Sequence, residues 1–306
     1  MTFNQLVETL SEYGSTEPRS EACLILEELF AAEPYALVLI GDRDYDSPQL
    51  QSLLEKRKAR IPLQYILGKW EFMGKKFYVS PACLIPRSDT EILVEKAIEI
   101  VWNRTRGRVN YLKSTDYGIQ GALCRADESE CEASSEYQVA DLCTGSGCIG
   151  LSLLMYSHID SMTLMDISDD ALDMARKNAE YHELTPMCEF ICGDITKDMP
   201  KKQFDMIVSN PPYIPTADIG NLSPEVRHEP ALALDGGVDG FDIIRFLTSE
   251  GLSYLKENGV MLIEFGYDQK NGMELILGEK QTQGLISSYE ILYDYGGNPR
   301  VAVIVK

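Results

Sequence analysis

Positive charge is scarce in this chain: 28 Lys and Arg stand against 48 Asp and Glu, a formal net charge of -20 over 306 residues. A field of that sign repels phosphates rather than gathering them, so no direct nucleic-acid partner is expected. No window approaches the roughly 18 apolar residues of a membrane span. The opening fourteen residues, Met1 to Gly14, have neither the basic region nor the apolar core of a secretory signal. No membrane partner is expected, and a cytoplasmic location is. Paired cysteine spacings are missing as well. The eight cysteines are scattered through helix-like, strand-like and loop-like segments, which excludes a zinc ribbon or a secreted disulfide scaffold. His158, His182 and His228 are too dispersed for a metal centre, and Cys124 with Cys131 make too few ligands alone, so no metal is expected. Asn103-Arg104-Thr105 matches a glycosylation sequon without the secretory context that would give it meaning. What the chain does have is 44% hydrophobic residues, enough to bury the cores of one substantial domain and a smaller one.

Apolar residues at helical spacing predict a helical N-terminal domain over residues 1–60. They are Leu6 and Leu10, then Cys23, Leu24, Leu26, Leu29 and Phe30, then Leu50, Leu53 and Leu54 behind Ser47 and Pro48. Residues 61–87 read as a β-hairpin linker, with Tyr65, Ile66, Trp70, Phe72, Phe77, Tyr78 and Val79 broken by Gly68 and Gly74-Lys75-Lys76. A third region, 88–306, opens with Ser88-Asp89-Thr90-Glu91, the pattern of a capping box before a helix with Ile92, Leu93, Ala97, Ile100 and Val101 inward. The polar stretch 104–136 follows neither period and reads as a surface insertion. From Tyr137 strands and helices alternate, predicting strands at 138–141, 162–165, 189–192, 206–209, 260–264, 289–292 and 301–305, with a helix at 169–181 behind Ser168. The expected fold is α/β with a doubly wound sheet, its last two strands an antiparallel edge pair joined across Gly296-Gly297-Asn298-Pro299.

Chemistry concentrates at the strand ends. The first strand runs through Asp141 into Cys143-Thr144-Gly145-Ser146-Gly147 and then a helix, a turn where a ligand can approach the backbone and meet unpaired N–H groups. Such a loop alone fits several nucleotide chemistries. Asp166, ending the next strand, is placed to accept ribose hydroxyls. Asp194, in Gly193-Asp194-Ile195 at the end of the third, suits an adenine amino group. A dinucleotide enzyme would use the same pocket, so the fourth strand discriminates. There Ser209-Asn210-Pro211-Pro212-Tyr213 follows Met206-Ile207-Val208. Asn210 offers a carbonyl that accepts N–H bonds, Pro211 and Pro212 stiffen the backbone, and Tyr213 offers a face for a planar group. An amide nitrogen is a poor nucleophile because its lone pair is delocalised. Accepting its N–H bonds holds it in line with a methyl donor and stabilises charge developing on it.

Pro62-Leu63-Gln64-Tyr65-Ile66-Leu67-Gly68, Leu84-Ile85-Pro86-Arg87, the loop from Asp141 to Gly147, Asp166-Ile167-Ser168, the segment from Val208 to Ile214, Glu229-Pro230-Ala231-Leu232, Asp235-Gly236-Gly237 and Arg300-Val301 occur in one order along the chain. In this the chain resembles the bacterial HemK/PrmC release-factor glutamine methyltransferases. The resemblance implies a Rossmann-like, mostly parallel seven-stranded class I methyltransferase that uses S-adenosyl-L-methionine. It implies that Cys143 to Gly147 and Asp166 hold methionine and ribose, Asp194 or Ile195 the adenine edge, and Asn210, Pro211, Pro212 and Tyr213 the substrate glutamine. Asn210, Pro211 and Tyr213 would be the catalytic set, and class I peptide chain release factors the protein partner, with translation termination the process modulated.

Two departures stand out: Cys143 replaces the family's usual glycine, and Ser88-Asp89 replaces Pro-Glu after Arg87. Cys143 is either a small tolerated residue or, beside a helix N-terminus that lowers its pKa, a redox switch. Arg87 either meets an acidic group of a ligand or ties the hairpin to the sheet. Asn-Pro-Pro-Tyr also occurs in adenine methyltransferases acting on DNA, which leaves adenine-N6 methylation of nucleic acid as an alternative. A ribosomal-protein glutamine and a non-catalytic module that has lost its cofactor through Cys143 are the others.

Overall fold

The computed structural model describes residues 1–31, 43–105 and 136–306. Helices α1 (Phe3–Glu12), α2 (Pro18–Phe30) and α3 (Pro48–Lys58) open the chain. Thr2 and Gln5 form a capping box in front of α1, and the Ser47 hydroxyl accepts the Leu50 N–H at 3.1 Å in front of α3. Pro18 and Pro48 stand at first-turn positions, where a missing N–H costs nothing. Phe3, Leu6, Leu10, Ile25, Leu26, Leu50, Leu53 and Leu54 pool into one small core.

Seven strands form the main sheet: β3 (Gln138–Leu142), β4 (Ser161–Asp166), β5 (Cys188–Cys192), β6 (Phe204–Ser209), β7 (Leu255–Glu264), β8 (Ser288–Tyr293) and β9 (Pro299–Val305). Their order is β5-β4-β3-β6-β7-β9-β8. Strand β9 alone runs antiparallel, to both β7 and β8, so the expected terminal hairpin forms with its second strand tucked inside. Helices α5 (Glu91–Thr105), α6 (Cys148–Tyr156) and α7 (Asp169–Tyr181) lie with one core, and α8 (Asp242–Leu247) and α9 (Lys270–Thr282) with the other. With both faces covered, the central strands are apolar throughout, and Val139-Ala140, Met206-Ile207-Val208 and Met261-Leu262-Ile263 are fully buried. The chain reverses direction across the sheet between β4 and β6, on either side of β3. That is the switch point where open α/β sheets bind ligands.

Outside the main sheet the structure corrects three expectations. Leu63–Leu67 is a short helix, α4, ended by Gly68 in the left-handed conformation, so Tyr65 and Ile66 are not strand residues. The hairpin consists of β1 (Lys69–Phe72) and β2 (Lys75–Tyr78) alone. It is packed onto the sheet: Phe72 and Phe77 are buried in the sheet's first core, and Asn178 of α7 accepts the Tyr78 N–H at 2.7 Å and donates back to its carbonyl at 3.0 Å. The capping box at Ser88 does not form. Ser88–Thr90 is a 3-10 turn without a side-chain cap, because its members bond elsewhere: Glu91 accepts the Met73 N–H at 2.6 Å and Asp89 pairs with Arg300 at 3.1 Å. Arg104 and Thr105, expected to begin an insertion, instead close α5 with Thr105 buried. The remainder of that stretch, 106–135 with Cys124 and Cys131, lies outside the described residues.

Candidate active site

A cavity of about 340 Å³ opens at the carboxyl ends of β3, β4, β5 and β6, within the usual size of small-molecule sites. Cys143, Thr144, Gly145, Ser146, Asp166, Asp194, Ile195, Asn210 and Pro212 all line it. Gly147, Pro211 and Tyr213 do not reach its wall. Gly147 caps α6 with φ +79°, where an added Cβ would lie 3.2 Å from the Ala175 Cβ. Pro211 is buried behind the wall, and Tyr213 sits beside it, packed against the second core.

The loop after β3 is held by two carboxylates. Asp141 Oδ2 accepts the Thr144 hydroxyl at 2.6 Å and the Gly150 N–H at 2.9 Å. Full burial pushes Asp141 up to about 7, and those two hydrogen bonds oppose the rise. Asp166 Oδ2 accepts the Gly145 N–H and its Oδ1 the Ser168 N–H, both at 2.9 Å. Each oxygen keeps a lone pair for a ligand hydroxyl. Burial raises Asp166 above the ordinary carboxylate range. Asp194 is engaged within its own turn, accepting Thr196 Oγ1 at 2.7 Å and Lys197 Nζ at 2.6 Å, and Lys197 above all draws it down to about 2.

Cys143 carries φ +60°, a conformation that favours glycine. Burial pushes its thiol up, away from thiolate, with the carboxylate of Asp166 adding to the rise. The helix N-terminus starts only at Cys148, and the Ser209 hydroxyl opposes burial without overcoming it, so the redox expectation fails on this point. Arg87 lines the cavity yet pairs with the buried carboxylate of Glu229, whose other oxygen accepts the Ile85 N–H at 3.0 Å. It therefore ties the segment after the hairpin to the loop beyond β6. His228 donates from Nε2 to the Ala59 carbonyl at 3.2 Å, a structural contact.

On the opposite wall, Asn210 Nδ2 donates to the Thr90 hydroxyl at 3.3 Å, and Tyr213 donates its hydroxyl to Glu264 Oε1 at 3.3 Å. The Tyr213 carbonyl accepts Gln269 Nε2 at 2.9 Å. Sequence reasoning missed Thr90, Glu264 and Gln269. Glu264 carried the same signal as Asp166, an acidic residue ending an apolar strand; Gln269 and Thr90 carried none. Among the described residues no group of three or more His, Cys, Asp or Glu side chains is placed to hold a metal, and no helix is long and apolar enough to cross a membrane.

Residues 2–68 match the PrmC N-terminal domain, and residues 128–222 the methyltransferase small domain. A release factor glutamine methyltransferase of Moorella thermoacetica is 36% identical over 247 residues, covering 81% of this chain and 76% of that one. Its counterpart from Geobacter sulfurreducens is 33% identical over 273 residues, 88% of this chain and 83% of the relative. The chain belongs to the release factor glutamine methyltransferase family. A third member, from Clostridium acetobutylicum, is 33% identical over 278 residues, covering 88% and 86% of the two chains. Family membership makes the protein an S-adenosyl-L-methionine-dependent methyltransferase, and the seven-stranded sheet is the class I fold that the sequence predicts.

Proposed function

We propose that this methyltransferase modifies the side-chain amide nitrogen of the glutamine in the Gly-Gly-Gln loop of class I peptide chain release factors. The observation that carries the proposal is the position of Asn210: it lines the same cavity as the glycine loop and Asp166, one strand away from β3. The relatives' names supply the substrate.

The lining fits S-adenosyl-L-methionine, because the cavity joins a mostly apolar wall to one fixed carboxylate with lone pairs to spare. Cys143, Thr144, Gly145 and Ser146 with Asp166 would hold its methionine and ribose, with Gly147 shaping the loop from behind, and Asp194 or Ile195 its adenine. When bound it supplies a methyl group made electrophilic by a sulfonium. The chain's own residues do the rest. The bond to Thr90 commits the Asn210 side-chain nitrogen and leaves its oxygen to accept an amide hydrogen. Pro211 and Pro212 have no N–H to compete for the carbonyl acceptors nearby. The Tyr213 ring, beside the cavity, would flank the amide plane where the substrate enters. Together these groups fix the nitrogen in line for attack and stabilise the positive charge it acquires.

Residues 1–60 form the surface we assign to docking the protein partner, 61–87 the connection and 88–306 the catalytic domain. Support for a pre-oriented docking layer comes from Glu225, beyond Tyr213, which accepts Arg60 Nη2 at 2.7 Å and lies 3.7 Å from buried Arg57. Labelled methyl transfer to purified release factor, compared with a release factor whose loop glutamine is changed to alanine, tests the proposal. Label on the first and none on the second is expected; equal labelling would refute the site.

A further inference from the structure

Tyr213 is gripped at both ends by one short stretch of chain. Strands β6 and β7 run in parallel register through Ser209 and Ile263, which sets Asn210 and Glu264 side by side at the next step. Glu264 is 1% exposed, and its Oε1 accepts the Tyr213 hydroxyl at 3.3 Å. Five residues on, buried Gln269 donates from Nε2 to the Tyr213 carbonyl at 2.9 Å and to the Gly240 carbonyl at 3.2 Å, while its Oε1 accepts the Gly266 N–H at 2.8 Å. Gly240 makes this closure possible: at φ +78°, an added Cβ would lie 2.2 Å from the Tyr213 oxygen.

A buried carboxylate is a costly way to end an apolar strand. Glu264 Oε2 has no hydrogen-bond partner among the described residues. The cation nearest in effect, Arg300, gives its Nη2 to Asp89 at 3.1 Å and Asp294 at 3.2 Å. What holds the carboxylate is the Tyr213 hydroxyl, the Thr90 hydroxyl that also accepts Asn210 Nδ2, and the charge of Arg300, so two of its partners belong to the Asn210 wall.

We infer that Glu264 and Gln269 are positioning residues for methyl transfer, clamping Tyr213 by its hydroxyl and its carbonyl so that Tyr213 and Asn210 meet the substrate amide in one fixed geometry. The inference rests on the proposed role of Asn210 and Tyr213. It adds a pH dependence. Burial pushes Glu264 up to about 7, opposed by the Thr90 hydroxyl, Arg300 and the Tyr213 hydroxyl and assisted by Asp89. The groups facing it are thus Thr90 and Asp89 before α5, Tyr213 after β6 and Arg300 on β9 with Asp294 behind it; the Cys148 thiol of α6 is also within its electrostatic reach. Below about pH 7 the carboxylate takes up a proton and weakens as an acceptor for Tyr213, so kcat falls on the acid side. Asp141 is also pushed up to about 7, and substituting Glu264 alone separates the two.

The test is kcat, KM for release factor and cofactor affinity across pH, for the full-length wild type, Glu264→Gln and Tyr213→Phe. Glu264→Gln is expected to lower the plateau kcat on the order of 10- to 100-fold and flatten the acid limb, with cofactor affinity within about threefold. Tyr213→Phe keeps the ring, removes only the hydroxyl that Glu264 accepts, and should lose kcat comparably; it carries the test alone if Glu264→Gln fails to fold. Wild-type kcat with an unchanged acid limb in Glu264→Gln, or wild-type kcat in Tyr213→Phe, overturns the inference. Failure of the substrate proposal looks different, since the wild type itself then leaves release factor unmodified and the inference falls with it.

Discussion

On the glycine-loop side of the cavity most polar contacts are short-range: Thr144 reaches Asp141 three residues back, Asp166 takes the Ser168 N–H two residues on, Asp194 holds Thr196 and Lys197 in its own turn, and the longer ones run 21 residues from Gly145 to Asp166 and 32 from Ser146 to Asn178. On the Asn210 side they span 51 residues to Glu264, 56 to Gln269 and 120 to Thr90. Turns and the two neighbouring β–α units build this binding surface, so it draws on a compact stretch of chain from Asp141 to Lys197. Long-range contacts make the geometry at Asn210 and Tyr213 conditional on two distant segments, the turn at Thr90 and the stretch from Glu264 to Gln269, being in place. The first wall is built to bind and the second to orient.

That contrast predicts a split between affinity and rate. The largest effect is expected for Asn210→Ala, which should cut turnover on the order of 100-fold or more while leaving cofactor affinity within about threefold, measured by calorimetry and single-turnover kinetics. Near-normal turnover would erase the distinction between the walls. Next comes removal of the residues before Ile61. The fragment should bind cofactor normally and lose roughly 10-fold or more in kcat/KM on intact release factor, equivalent to about 1.4 kcal/mol of docking energy. A short peptide carrying Gly-Gly-Gln should be methylated equally by both forms; equal rates on the intact protein would remove the docking role. The smallest effect belongs to Cys143→Gly. It relieves a left-handed non-glycine residue worth about 1 kcal/mol, and the variant should bind S-adenosyl-L-methionine at least as tightly as the parent. A clear loss of affinity would show that the thiol contributes a contact.

The same division governs what could be read from the sequence. The seven strands were legible because apolar runs covered on both faces leave a strong signal, and the Ser47 and Ser168 caps because they act over three residues. Tyr65 and Ile66 misled because aromatic and β-branched residues before a glycine resemble a strand; Gly68 in fact ends a helix. The capping box at Ser88 failed because Glu91 found Met73, 18 residues away, and Asp89 found Arg300. Asn210 and Asp166 stood out by local context, and their supports did not. Gln269 looks like any polar residue in a loop until the fold lays Tyr213 and Gly240 against it.

Site-mapping mass spectrometry after incubation of the full-length enzyme with S-adenosyl-L-methionine, release factor and adenine-containing nucleic acid under matched conditions tests the central claim most directly. One methyl group on the glutamine of the Gly-Gly-Gln loop, with the nucleic acid unchanged, is the predicted result. Methylated adenine beside an unmodified release factor would contradict it.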